Sequence, residues 1–221
     1  MNNQVISYIA RIFAIFVSLP VHEFAHGFCA NLLGDKTAKR CGRLSLNPLK
    51  HLDLVGTVAM LFFGFGWAKP VPVDINNLSK PKRDMALIAI MGPISNLILA
   101  LIGMCILKIV LVLMPTTTGG AFSLSIDILN IFTYFLMVNI SLAVFNLFPI
   151  PPLDGSRLVT CFLPQPYYNL LMRYEIFGMA IIMLLLTFGA LDVPMEIVGK
   201  EIFKCLDFIT KPIDMLGGLT H

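Results

Sequence analysis

Residues 5–33 read VISYIARIFAIFVSLPVHEFAHGFCANLL. Apart from Arg11 and the group His22-Glu23-Phe24-Ala25-His26, the stretch is almost wholly apolar or small. At about 1.5 Å per helical residue it is long enough to cross the roughly 30 Å hydrocarbon core of a bilayer. Its reading decides the fold, because a chain that begins this way is built from membrane spans. The polar group inside it has the form H-E-x-x-H, a zinc signature with a mechanism behind it. His22 and His26 lie one turn apart, so both imidazoles leave the same helix face, about 40° from each other. That suits two corners of a tetrahedral zinc site. Glu23 lies about 100° round the axis and is free to move protons instead of ligating. Measured back from Leu33, His22 is roughly 16 Å inside the span. Ionisable groups at such depth are costly and point to function. The plainer alternative is a buried polar cluster that braces a helix bundle.

The rest of the chain fits this start. Of its 221 residues, 57% are hydrophobic and 13% charged, and the mean hydropathy is +0.83. Ordinary globular domains carry about 25% charged residues. The composition is that of an integral membrane protein in one compact domain, residues 1–221. A net charge of +3 is no argument for nucleic acid. Cys29, Cys41, Cys105, Cys161 and Cys205 are scattered without a C-x-x-C pair, and read as small buried hydrophobes. The apolar start is too long for a cleavable signal peptide and carries the motif itself. Pro20 sits just before the motif. Ser18 and a neighbouring helix are expected to absorb the hydrogen bond it removes.

After the first span, expected over 5–33, the text changes. Lys36, Lys39, Arg40, Arg43, Lys50, Lys69, Lys80, Lys82 and Arg83 follow, punctuated by glycines and prolines. Short strand-like pieces at 43–46, 57–63 and 71–73 predict a small membrane-associated β element within a β-rich loop over 40–75. Asn47, Pro48, His51 and Asp53 read as its turn formers. Further spans are expected over 85–114, 126–148 and 174–191, and an amphipathic tail over 194–210 lies at the interface or packs on the bundle. The fold class is therefore an all-α integral membrane bundle of about four transmembrane helices with that β element. The basic segment after span one, with Arg157 and Arg173 after span three, faces the cytoplasm by the positive-inside rule. Both termini then face outward.

A catalytic zinc takes three protein ligands and a water. His22 and His26 supply two. His51 lies in the basic loop and His221 is the last residue. Asp154 follows a third span broken by Pro149, Pro151 and Pro152, and ends on the same side as the motif. It is the better third ligand, although Leu153-Asp154-Gly155 taken alone is compatible with a mere turn.

Here the chain resembles the site-2 protease family of intramembrane zinc metalloproteases, peptidase family M50, in a minimal form with no room for a PDZ or CBS domain. The resemblance rests on His22-Glu23-Phe24-Ala25-His26 and on Asn146-Leu147-Phe148-Pro149-Ile150-Pro151-Pro152-Leu153-Asp154-Gly155, which matches N-x-x-P-x-P-x-L-D-G throughout. Ser156 stands where many members have a second glycine. The resemblance implies one Zn2+ per chain, held by His22, His26 and Asp154, with Glu23 as catalytic base. It makes Asn146, Pro149 and Pro151 shapers of the site or of substrate binding. It also marks Gly92, Pro93 and Asn96 as a feature of the second span. A β element over Thr57 to Phe63 and Gly64 to Val73, with Gly64 and Gly66, would offer a strand edge to an unwound substrate.

The expected partners are single-span membrane-protein substrates and the lipid bilayer, not nucleic acid. The expected location is the cytoplasmic membrane of a bacterium or archaeon. The expected activity is cleavage of substrate transmembrane segments. The alternative is a non-catalytic membrane metal-binding or scaffold protein. Intact Glu23 argues against it, since a metal store has no use for a base. A metal transporter is disfavoured because no internal repeat of spans is visible.

Overall fold

In the computed structural model the described residues are 3–51, 53, 56, 69–114, 120–164, 166–168 and 175–216. α1 (Asn3–Leu32) carries the two histidines and runs through Pro20. Ser18 is fully buried beside it, yet its hydroxyl bonds to nothing, so it does not compensate the proline as the sequence suggests. Gly34 ends the helix at φ 109°, a conformation that only glycine adopts without strain. The Asp35 amide then closes on the Ala30 carbonyl at 2.9 Å, a Schellman-type stop. α2 (Thr37–Arg40) is a single turn. α3 (Pro81–Leu113), α4 (Gly120–Asn146), α5 (Asp154–Thr160), α6 (Glu175–Thr187) and α7 (Asp192–Leu216) follow.

Among the described residues three stretches, Tyr8–Leu32, Pro81–Leu113 and Phe122–Asn146, are long and apolar enough to cross a membrane. The pair Phe177–Thr187 and Asp192–Met215, bent by 85°, adds a fourth if it is one broken span. The chain is thus a multi-pass membrane protein. Large apolar side chains such as Ile12, Phe16, Ile98, Ile102 and Ile109 point outward. In water such faces would be a liability, whereas lipid covers them at no cost.

Contacts fix how the helices run. As α1 advances from His22 to His26, its partners on α3 retreat from Asn96 to Ile88, so the two are antiparallel. Phe13 of α1 meets Phe132 and Phe135 of α4 at ring distances of 6.0 and 5.5 Å. The core between α3, α4 and α7 is Ala100, Met104, Leu107, Leu136, Ile140, Val144 and Leu206. Small residues let the backbones close in: a Cβ on Gly103 would stand 3.1 Å from the Phe135 ring. The tail helix α7 therefore packs on the bundle, with Met195, Ile202 and Phe203 against the same core.

The expected β element is corrected. Among the described residues there is no strand. Residues 43–46 form a bend, because Arg43 turns back onto the Lys50, Lys69 and Pro70 carbonyls. Residues 71–73 belong to no strand or helix. Pro70 and Pro72 have no N–H to give to a ladder. Residues 57–63, with Gly64 and Gly66, lie outside the described residues. Asn47 is a turn former as read: its side chain caps the 3-10 turn Pro48–Lys50 by accepting from the Leu49 amide. The cysteines differ from expectation, since Cys41 and Cys205 are exposed and the other three only half-buried.

Candidate active site

Three side chains converge on one point. α1 contributes His22 and His26, both buried, and the turn after α4 delivers Asp154 at the start of α5. The two Nε2 atoms lie 3.0 Å apart. Asp154 Oδ2 stands 3.2 Å from His22 Nε2 and 3.3 Å from His26 Nε2. This is nearly an equilateral triangle of donor atoms. Four ligands at about 2.0 Å round a tetrahedral metal stand about 3.3 Å apart. Asp154 Oδ2 is also buried without a hydrogen bond, an orphaned acceptor of the kind a cation satisfies.

The outer ring nitrogens support the same use. His26 Nδ1 is 2.8 Å from the Ile88 carbonyl, which can only accept. The proton therefore sits on Nδ1, and Nε2 keeps its lone pair for a metal. His22 Nδ1 faces the Asn96 amide at 3.2 Å, and Asn96 Oδ1 is buried without a partner. Turning this amide over places Oδ1 on an Nδ1–H and gives His22 the same tautomer as His26.

Backbone shape seats the pair. A Cβ on Gly92 would lie 2.5 Å from Cε1 of both histidines and from His26 Nε2. The rings rest directly on the α3 backbone, which only glycine allows. Gly155 plays the matching part beneath Asp154, where a Cβ would stand 2.1 Å from the Leu147 carbonyl oxygen. The first turn of α5 thus lies on the turn that ends α4, and this contact sets the position of Asp154. His22, His26 and Asp154 together fit a divalent metal with two nitrogen donors and one oxygen donor, as zinc takes.

The structure brings Glu23 to the same region, half-buried, where its Oε2 accepts from the Val71 amide at 2.8 Å. Asn96 is at the site, on His22. The Asn146 side-chain amide donates to the Leu142 carbonyl of its own helix at 2.9 Å. Pro149 and Pro151 lie in the turn that carries the chain from α4 to Asp154, and the Pro151–Pro152 bond is cis. His51, the other candidate ligand, is buried elsewhere with Nε2 on the Ser45 carbonyl at 2.6 Å. One contributor escapes sequence reasoning: the Val71 amide is a backbone group, visible only as the single N–H between two prolines. Gly92 is marked in the sequence as a feature of the second span, but its role as a cradle depends on how closely two helices approach.

Comparison with known proteins agrees with this geometry. The profile of Peptidase family M50 matches residues 10–189. A Bacillus subtilis protein named "Putative zinc metalloprotease YwhC" is 37% identical over 206 residues, covering 91% of this chain and 93% of its own. A Mycolicibacterium smegmatis protein named "Putative zinc metalloprotease Rip2" is 27% identical over 180 residues, covering 80% of this chain and 66% of its own. No solved structure gives a significant match.

Proposed function

The chain belongs to peptidase family M50, the site-2 protease family, and from that membership we propose that it cuts its substrates inside the membrane. It is a zinc metalloprotease. His22, His26 and Asp154 hold the ion, and Glu23 is the catalytic base. The observation that carries the intramembrane reading is depth. His22 and His26 lie 10 and 6 residues before the end of Tyr8–Leu32, and Gly92 lies 11 residues into Pro81–Leu113. At about 1.5 Å per residue the site is roughly 10–16 Å from the helix ends.

Zinc, when bound, supplies Lewis acidity that polarises the scissile carbonyl and lowers the pKa of water toward neutrality. Glu23 takes a proton from the attacking water on its carboxylate and returns it to the nitrogen of the leaving amine. His26 is held by Ile88 and His22 by Asn96, so neither ring swings as charge shifts. A substrate helix hides its peptide bonds within its own hydrogen bonds and unwinds before it is cut. Single-span membrane proteins are the proposed substrates, and the basic segment supports a site on the cytoplasmic side of what we take to be a bacterial or archaeal cytoplasmic membrane.

The test uses the full chain in liposomes with a single-span substrate, the cut site being read by mass spectrometry. Cleavage within the apolar span is expected for the wild type. Glu23→Gln should keep zinc and lose cleavage, and Asp154→Ala should lose both. Cleavage only in a water-exposed loop, or cleavage that survives Glu23→Gln, overturns the reading.

A further inference from the structure

The segment over residues 69–74, Lys-Pro-Val-Pro-Val-Asp, meets α1 through Val71, at Glu23 and Gly27. It is tied at both ends. The Lys69 amide donates to the His51 carbonyl at 2.8 Å, and Arg43 grips the Lys69 and Pro70 carbonyls at 2.6 and 3.2 Å. At the far end the Asp74 amide donates to Asp35 Oδ2 at 2.8 Å. Between these anchors Pro70 and Pro72 have no N–H and fix their own φ. One donor is left among the three residues 70–72, the Val71 amide, and it is aimed at Glu23 Oε2 at 2.8 Å. The Val71 side chain is buried and rests on α1 one turn beyond Glu23, where a Cβ on Gly27 would meet Val71 Cγ1 at 3.1 Å.

We propose that Val71 is a positioning residue whose backbone N–H holds one oxygen of the Glu23 carboxylate, so that the other oxygen is presented to the attacking water. A glutamate side chain has three torsions, and a base that wanders by an ångström loses rate. Fixing Oε2 to a doubly anchored segment removes that freedom. The flanking prolines make the device selective, because they cannot compete for the carboxylate. The same bond occupies the last N–H donor that residues 70–72 could offer to a substrate strand. The inference rests on Glu23 as the base of the proposed protease, and its test is arranged so that the two fail separately.

The first measurement needs no activity. In metal-free, 15N-valine-labelled protein in detergent, the Val71 amide is assigned by its loss in Val71→Ala. Its proton should resonate far downfield and exchange slowly with solvent, as a charge-assisted donor does. Glu23→Ala should move it upfield and speed its exchange while distant valines stay put. An unmoved Val71 resonance overturns the proposal. The second measurement is kinetic. Val71→Pro should have a kcat about ten-fold or more below that of Val71→Ala, which trims the same side chain but keeps the N–H, at equal KM and zinc content. Equal kcat for the two zinc-loaded variants overturns the proposal, and should Val71→Pro fail to take up zinc, the amide resonance decides. Cleavage that survives Glu23→Gln sinks the protease assignment of Glu23 and leaves the amide measurement standing. An inactive Glu23→Gln beside a fully active Val71→Pro sinks only the role of Val71.

Discussion

At the scale of single residues, the site depends as much on what is missing as on what is present. His22 and His26 press on the α3 backbone at Gly92, where a single methyl group would stand 2.5 Å from ring atoms of both. Neither ring can retreat freely, since His26 Nδ1 is tied to Ile88 and His22 Nδ1 to Asn96. Gly92→Ala is therefore expected to purify without zinc, read by elemental analysis, while circular dichroism shows unchanged helix content. Asn96→Ala leaves both rings in place but removes the partner that sets the His22 tautomer. Zinc affinity, measured by competition with a chelator, should fall about 10–100-fold. An affinity equal to wild type would mean that Asn96 has no hold on the tautomer.

At the scale of elements, the turns on the basic side are organised by a buried carboxylate. Asp35, just past α1, accepts from the Thr37 amide and hydroxyl, the Asp74 amide and the Asn77 side-chain amide. It thereby joins the end of α1 to the far anchor of the segment that reaches Glu23. Burial alone would push its carboxyl up, but the bonds from Thr37, Asp74 and Asn77 outweigh it and hold the pKa below its ordinary value. The sign follows by linkage. A depressed carboxylate stabilises the fold above its unfolded pKa, and that contribution is lost as pH falls through the folded value. Protection of the Asp74 amide against hydrogen exchange, corrected for intrinsic rates, should thus fall on acidification below the ordinary carboxylate range. In Asp35→Asn it should already be lower by about ten-fold near neutral pH. Equal protection in the two proteins would remove Asp35 as the organiser.

At the scale of the whole molecule, α7 is the unusual member. It carries Glu196, Lys200, Glu201, Lys204, Asp207, Lys211 and Asp214, yet it packs on two membrane-spanning helices. Its attachment is partly ionic. Lys108, buried within α3, contacts Asp207 Oδ1 at 2.8 Å and Asp214 Oδ2 at 2.6 Å. A buried ammonium with no counter-charge is costly, whereas an apolar replacement of similar length is not. Asp207→Asn with Asp214→Asn is expected to destabilise the protein by an amount on the order of 3 kcal/mol, seen as a lower Tm in detergent. Adding Lys108→Met should recover most of the loss. No recovery would show that the two aspartates act independently of Lys108.

What the sequence determined by itself is the local part. Hydropathy over long runs places α1, α3 and α4, because a helix that faces lipid needs an unbroken apolar surface and no partner to say so. The spacing of His22 and His26 is equally local, set by the helix repeat. Asp154 was legible because it follows a proline break at the end of a span, where the basic residues put it on the same side as the histidine pair. The tertiary structure decided the rest. Whether residues 71–73 form a strand depends on a pairing partner, and the Val71 amide goes to Glu23 instead. Asn96 and Asn146 look alike in sequence, yet one meets His22 and the other turns back on its own helix. That choice depends on how α3 and α4 are rotated against α1. Gly92 and Gly155 show the same limit: a glycine in a sequence states permission, and only the approach of another backbone or ring turns permission into a requirement.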